Sequence, residues 1–293
     1  MFFFSLLVDG ALAGAIYALI ALAFVLVYKA SRMINFAIGE WVMWGALLVG
    51  IGVHGIGVGP IEASVFACAA MIALAFAFNR LVLRQITAPP VIASIMITLA
   101  LGAIMRGIGA IIFAGVPGGI ALPIPLRAIT IDGVPVATDK LVAALVAALC
   151  IALVGIFFQH SRTGLALQAL ADDRQTAMSV GIDIDHHLLI VWSIAAVISV
   201  AGGVLWTFVA GGGFAVALVG LKVFPIVIIG GLDSILGAIV GAMIIGVLES
   251  LGAGYLDPTL GGGFGNIASY LLLIGMLVVR PSGLFGRPRI ERV

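Results

Sequence analysis

Nine apolar runs decide what this chain can fold into: 5–28, 36–53, 62–79, 91–114, 140–158, 188–210, 217–232, 235–252 and 267–279. Roughly 20 apolar residues in a helix cross the hydrocarbon core of a bilayer. A helix also satisfies its own backbone hydrogen bonds where no water can. The pattern therefore predicts an all-α polytopic membrane protein with about 8–9 transmembrane helices. Composition agrees, since 9% of residues are charged, against about 25% in soluble domains. The whole chain, 1–293, reads as one transmembrane domain with a single charged segment at about 160–187.

The opening stretch, "MFFFSLLVDGALAGAIYALIALAFVLVY", has no basic leader and no small-residue cleavage site, and is expected to be the first span. Cys68 and Cys150 lie inside apolar runs, with neither metal-ligand nor redox spacing. The net charge of +1 and the absence of a long basic run argue against nucleic acid as a partner. The run 217–232 is short, contains Lys222 and Pro225, and ends at Gly230-Gly231. It is expected to be a broken or re-entrant helix, which leaves the span count and the side of the N-terminus open.

The basic residues set the orientation. Placing 29–35, 80–90, 159–187 and the tail after 279 on one side gathers ten of fourteen: Lys29, Arg32, Arg80, Arg84, Arg162, Arg174, Arg280, Arg287, Arg289 and Arg292. The opposite loops hold Arg127, with Lys140 at an edge. The positive-inside rule puts the C-terminus in the cytoplasm.

The segment "RTGLALQALADDRQTAMSVGIDIDHH", residues 162–187, concentrates six formal charges in 26 residues. Asp172 with Gln175 three residues on has the pattern of a capping box, and Gly181 supplies a helix stop. This predicts a helix of about two turns, too short to span. Leu165, Leu167, Leu170 and Ala171 before it give an apolar side for docking. A short capped helix at a fixed place suits a cytoplasmic partner.

Polar groups within spans need a physical reason, since a charge at a helix centre costs about 2.5–3.5 kcal/mol on insertion scales. Asn35 can cap the second span, and Glu40 lies a turn further in, as an interfacial carboxylate or as a polar group lining a route or gate. Arg106 sits deep in 91–114, either paired internally or facing a vestibule. Lys222 precedes the expected break, where unwound backbone can line a cavity. Asp233 is expected at the cytoplasmic edge and Glu249 near the external face, both structural. Asn35, Glu40, Arg106 and Lys222 are the candidates to line any polar path through the spans. No catalytic set emerges, and no Walker-type sequence for ATP occurs in the chain.

Three tracts resemble the permease subunits of bacterial ABC importers for branched-chain amino acids, the hydrophobic amino-acid uptake family. They are "YALIALAFVLVYKASRMINFAIGEW", "RTGLALQALADDRQTAMSVGID" and "GLKVFPIVIIGGLDSILGAIVGAMIIGVLE", joined by "RPSGLFGRP" near the end. The resemblance implies a subunit that moves branched-chain or other apolar amino acids across the bacterial inner (plasma) membrane. It further implies two ATPase subunits holding ATP and Mg, a second homologous permease in a heterodimer, and an external substrate-binding protein. The tract 162–183 would be the coupling helix, with Ala171, Asp172, Asp173, Arg174 and Gly181 at the ATPase contact. Relatives commonly carry His where this chain has Ile38, and Gly at the place of Asp233. Without the resemblance, an ion-coupled secondary transporter or a channel for small solutes stays open.

Overall fold

The computed structural model describes residues 1–85, 90–120, 128–131 and 134–286, without the side chains of Ile131, Arg174 and Gln175. All nine apolar runs form helices. These are α1 (Phe2–Ser31), α2 (Ile38–Gly50), α3 (Pro60–Leu81), α4 (Val91–Ile112), α5 (Thr138–His160), α8 (Ile184–Ala210), α9 (Val219–Gly230), α10 (Ile235–Leu251) and α12 (Phe264–Val279). Among the described residues, seven helical segments are long and apolar enough to cross a membrane; Phe214–Gly230 and Phe264–Val279 are shorter. The charged segment forms α6 (Arg162–Asp172) and α7 (Arg174–Ser179), and α11 (Asp257–Leu260) is one turn before α12. A small antiparallel hairpin, β1 (Ala128–Ile131) with β2 (Val134–Ala137), precedes α5. The apolar pattern gave no sign of it.

α1 is the axis of the molecule. Every residue from Ile16 to Val27 is at most 3% exposed, as a helix that is apolar all round must be when others enclose it. Glycine lets α10 come close to it. A Cβ on Gly10 would stand 2.6 Å from the Gly246 carbonyl oxygen, and one on Gly14 would stand 2.9 Å from that of Ala242. As one number rises the other falls, so α1 and α10 cross antiparallel. The Gly10/Gly14 spacing works as the small-residue contact that membrane helices use. By contrast α4 and α5 leave Ile92, Met96, Leu145 and Leu149 exposed, faces that need lipid or another apolar chain.

Pro225 does not break its helix. α9 runs through it, although proline offers no N–H to the carbonyl one turn back. That carbonyl, on Leu221, accepts a hydrogen bond from Tyr270 Oη of α12 at 3.4 Å. The chain breaks at the ends of α9 instead. A 3-10 stretch, Phe214–Leu218, leads in, and Gly231 at φ 109° leads out. Phe214 lies beside Gly109, three residues before the end of α4, so this half-length helix starts below the ends of its neighbours.

Candidate functional site

The charged segment is built locally. Ser161 Oγ accepts from the Gly164 amide at 2.8 Å and starts α6. Gly164, Leu167, Leu170 and Ala171 are buried against the bundle, while Leu165 is 55% exposed, so the docking face is narrower than its sequence suggested. Gln168 Nε2 donates to the Phe158 carbonyl at 2.7 Å and fixes the angle with α5.

The expected cap at Asp172 is corrected by one residue, and the expected single helix becomes two. Asp172 ends α6, and Asp173 caps α7 by accepting from the Thr176 amide at 3.1 Å and Thr176 Oγ1 at 2.7 Å. The extended backbone of Asp173 (φ −147°, ψ 105°) makes the elbow between them. Gly181 stops α7 as its composition implied: at φ 88° it lets Ile182 N donate to Ala177 O at 3.1 Å and its own amide to Met178 O at 3.0 Å, a Schellman closure.

The structure splits the five residues expected at a partner contact. Ala171 is 5% exposed and turned into the protein, and its carbonyl accepts from Arg32 Nη2 at 2.8 Å. Asp172, Asp173 and Gly181 are exposed around the elbow and the stop. Arg174 begins α7, its side chain lying outside the described set. Two apolar side chains missed by the sequence reading, Met178 in the last turn of α7 at 49% and Val180 just past its end at 72%, are exposed. The signal was there, since nothing on a six-residue helix can bury both faces.

The basic loops meet at one end of the bundle. Arg32 reaches Ala171, and Arg84 Nε pairs with Asp185 Oδ2 at 3.2 Å. The stretch after Arg280 folds back on α9, with Leu284 N donating to Ile229 O at 2.7 Å. Arg127, Arg287, Arg289 and Arg292 lie outside the described residues.

The path candidates fall into two clusters. In the first, Arg106 Nη2 of α4 donates to Glu40 Oε1 of α2 at 2.5 Å. Glu40's side chain is 12% exposed and that of Arg106 is 55%. The carboxylate is therefore inside, and the Arg106 side chain is more than half exposed at the surface of the bundle. Gly102 makes the room, since a Cβ there would stand 3.3 Å from Glu40 Oε2. Asn35, 2% exposed, accepts from the Ala37 amide at 3.1 Å and shapes the turn one residue before the helix. Thr98 of α4 ties the same connection, accepting from Phe36 N at 3.2 Å and donating to Ile34 O at 2.9 Å. Ile38 is 1% exposed and part of the core.

Lys222 is apart from this cluster. Its Nζ donates to Glu249 Oε2 and to Tyr17 Oη, both at 2.9 Å, while Tyr17 Oη donates to the same Glu249 oxygen at 2.7 Å. The ammonium stands 5.4 Å from the Tyr17 ring centroid, and Trp206 stacks on that ring. Three helices, α1, α9 and α10, thus share one buried charge cluster. Glu249, read from sequence as a lone structural group, is the internal counter-ion of Lys222. Glu249 also borders a cavity of about 200 Å³ that Asp9, Ser250, Asp257 and Asn266 line.

Long apolar helices around a buried axis, charges neutralised within, and an amphipathic charged segment held at one end define a multi-pass membrane protein. The family model for "Branched-chain amino acid transport system / permease component" matches residues 6–280. The chain belongs to that family, and is a permease component of this class of transport system. The high-affinity branched-chain amino acid transport system permease protein LivH of Escherichia coli K12 is 29% identical, over 100% of this chain and 98% of its own. LivH of Salmonella typhimurium is 30% identical over the same shares. The permease protein BraD of Pseudomonas aeruginosa is 26% identical over 98% and 97%. Among solved structures, PsaBC from Streptococcus pneumoniae in complex with Fab aligns over 92% of this chain and 89% of that one, at 16% identity and a TM-score of 0.47. The relatives are transport permeases and not enzymes.

Proposed function

We propose that this chain is the membrane permease of an ATP-driven importer that carries branched-chain or other apolar amino acids into a bacterial cell. Two separate ATPase subunits bind ATP and Mg, and the elbow between α6 and α7 docks on one of them. A second, homologous permease completes the path, and an external binding protein delivers the amino acid to its outer end. The protein sits in the inner (plasma) membrane with its basic end, including the C-terminus, in the cytoplasm. The observation that carries the reading is the segment 161–183: capped at both ends, docked through Leu167, Leu170 and Ala171, and exposing Met178 and Val180. Family membership supports the same reading.

Candidate path residues are Asn35, Glu40, Arg106 and Lys222. Of these, the exposed guanidinium of Arg106 is best placed to meet a passing solute, and Lys222 is engaged within the chain.

The test is reconstitution into proteoliposomes with candidate ATPases, a second permease and a binding protein. Uptake of leucine, isoleucine and valine should require ATP, the ATPases and the binding protein together. Uptake that persists without ATP or without the binding protein would sink the proposal, and transport of urea or amides in place of these amino acids would move the substrate assignment.

A further inference from the structure

Arg32 is the sole non-glycine residue with positive φ among the described residues, at φ 58°, ψ 16°. A left-handed backbone crowds any Cβ against the following carbonyl, and glycine avoids this. An arginine that holds such a place has a side chain worth keeping there. Its amide closes α1 by donating to Tyr28 O at 2.7 Å, and its Nη2 donates to Ala171 O at 2.8 Å. That carbonyl lies in the last turn of α6, where helix carbonyls have no intrahelical partner and a cation is favoured. A residue at the end of α1 therefore completes a helix 139 positions away in the sequence.

On its other side Arg32 adjoins a connection that is tied at each step. Ser31 Oγ donates to Val27 O and accepts from Met33 N, Thr98 grips Ile34 and Phe36, and Asn35 grips Ala37. Glu40 and its partner Arg106 follow directly. The strap joins two pieces that are each stiff.

We propose that Arg32 is a positioning residue that holds the α6–α7 elbow to the α1–α2 connection, so that displacement of the elbow by an ATPase moves Asn35–Glu40. The inference rests on the coupling reading above. Arg32 does not touch the ATPase or the solute; it acts through Ala171.

Arg32→Gly separates the strap from the turn, because glycine keeps the left-handed backbone without its steric cost and loses the guanidinium. In the full-length chain in nanodiscs, amide exchange over 168–182 should rise about tenfold, the loss of one charge-assisted hydrogen bond. Exchange in the buried part of α1 and the melting temperature should not change. In the reconstituted transporter, leucine taken up per ATP hydrolysed should fall several-fold. Arg32→Lys, with the cation and the backbone cost both kept, should recover part of each loss. Unchanged exchange over 168–182 in the glycine variant overturns the strap, and raised exchange with wild-type leucine per ATP overturns the positioning role. Loss of the melting transition in both the glycine variant and Arg32→Gln would mark a purely structural residue and overturn it as well. Failure of the coupling reading shows separately, in the wild-type complex, as no added protection of 171–181 by the ATPase, and removes the proposal with it.

Discussion

Lys222 Nζ lies 2.9 Å from Glu249 Oε2, with Tyr17 Oη bonded to both. The pair joins α9 to α10 where neither charge can reach water easily, at 23% and 12% side-chain exposure. Such a pair is weak evidence for net stability, but breaking it strands a charge. Lys222→Met or Glu249→Leu alone should lower stability by about 3–5 kcal/mol, and the double variant should regain much of the loss. Thermal unfolding of the purified chain in detergent reads all three; single variants as stable as the wild type would refute the prediction.

The Glu40–Arg106 pair should respond asymmetrically. Removing Arg106 leaves a buried carboxylate, whereas removing Glu40 leaves a guanidinium side chain that is 55% exposed at the bundle surface. Arg106→Leu should cost about 1–3 kcal/mol, with Glu40→Leu clearly less, because the penalty falls on the buried unpaired group. A greater loss for Glu40→Leu in the same melting experiment would contradict this.

The α1–α10 crossing should reject a side chain. Gly246→Val drives its Cβ onto the backbone of Gly10 and Gly14, and overpacking of this kind costs about 1–3 kcal/mol or more. Gly107 has nothing near its missing Cβ, so Gly107→Ala should leave expression and melting unaltered. Yield and size-exclusion profiles of both variants decide it.

The tip of α7 should matter for assembly and not for folding. Met178→Asp with Val180→Asp alters two exposed side chains, where surface changes are within about 0.5 kcal/mol. Co-purification with an ATPase should nevertheless be lost. Retained co-purification would place the contact elsewhere.

The capping residue can be located by stability. Asp173→Ala should cost about 1 kcal/mol through loss of the α7 cap, and should raise amide exchange at Thr176, whose N–H it accepts. Exchange at Thr176 that rises with Asp172→Ala and not with Asp173→Ala would return the cap to Asp172.

The spans were legible in the sequence, nearly to their ends, because an apolar run of the right length has one way to satisfy its backbone in lipid. The caps of the charged segment were legible within one residue, since Asp172 and Asp173 are chemically the same cap and only the elbow angle selects between them. Pro225 misled, because the sequence shows the missing N–H but not Tyr270 arriving from another helix to meet the freed carbonyl.

By itself the sequence determined that the chain is a bundle of membrane helices with one charged, amphipathic segment at its basic end. Those properties depend on residues within a few turns of each other. Only the tertiary structure decided that Glu249 answers Lys222, that Arg106 answers Glu40, and that Arg32 reaches Ala171. Tyr17 and Glu249 are 232 positions apart, and Arg32 and Ala171 are 139 apart. Charge pairing across such distances follows from which helices glycine allows to approach, and that is a property of the packed bundle.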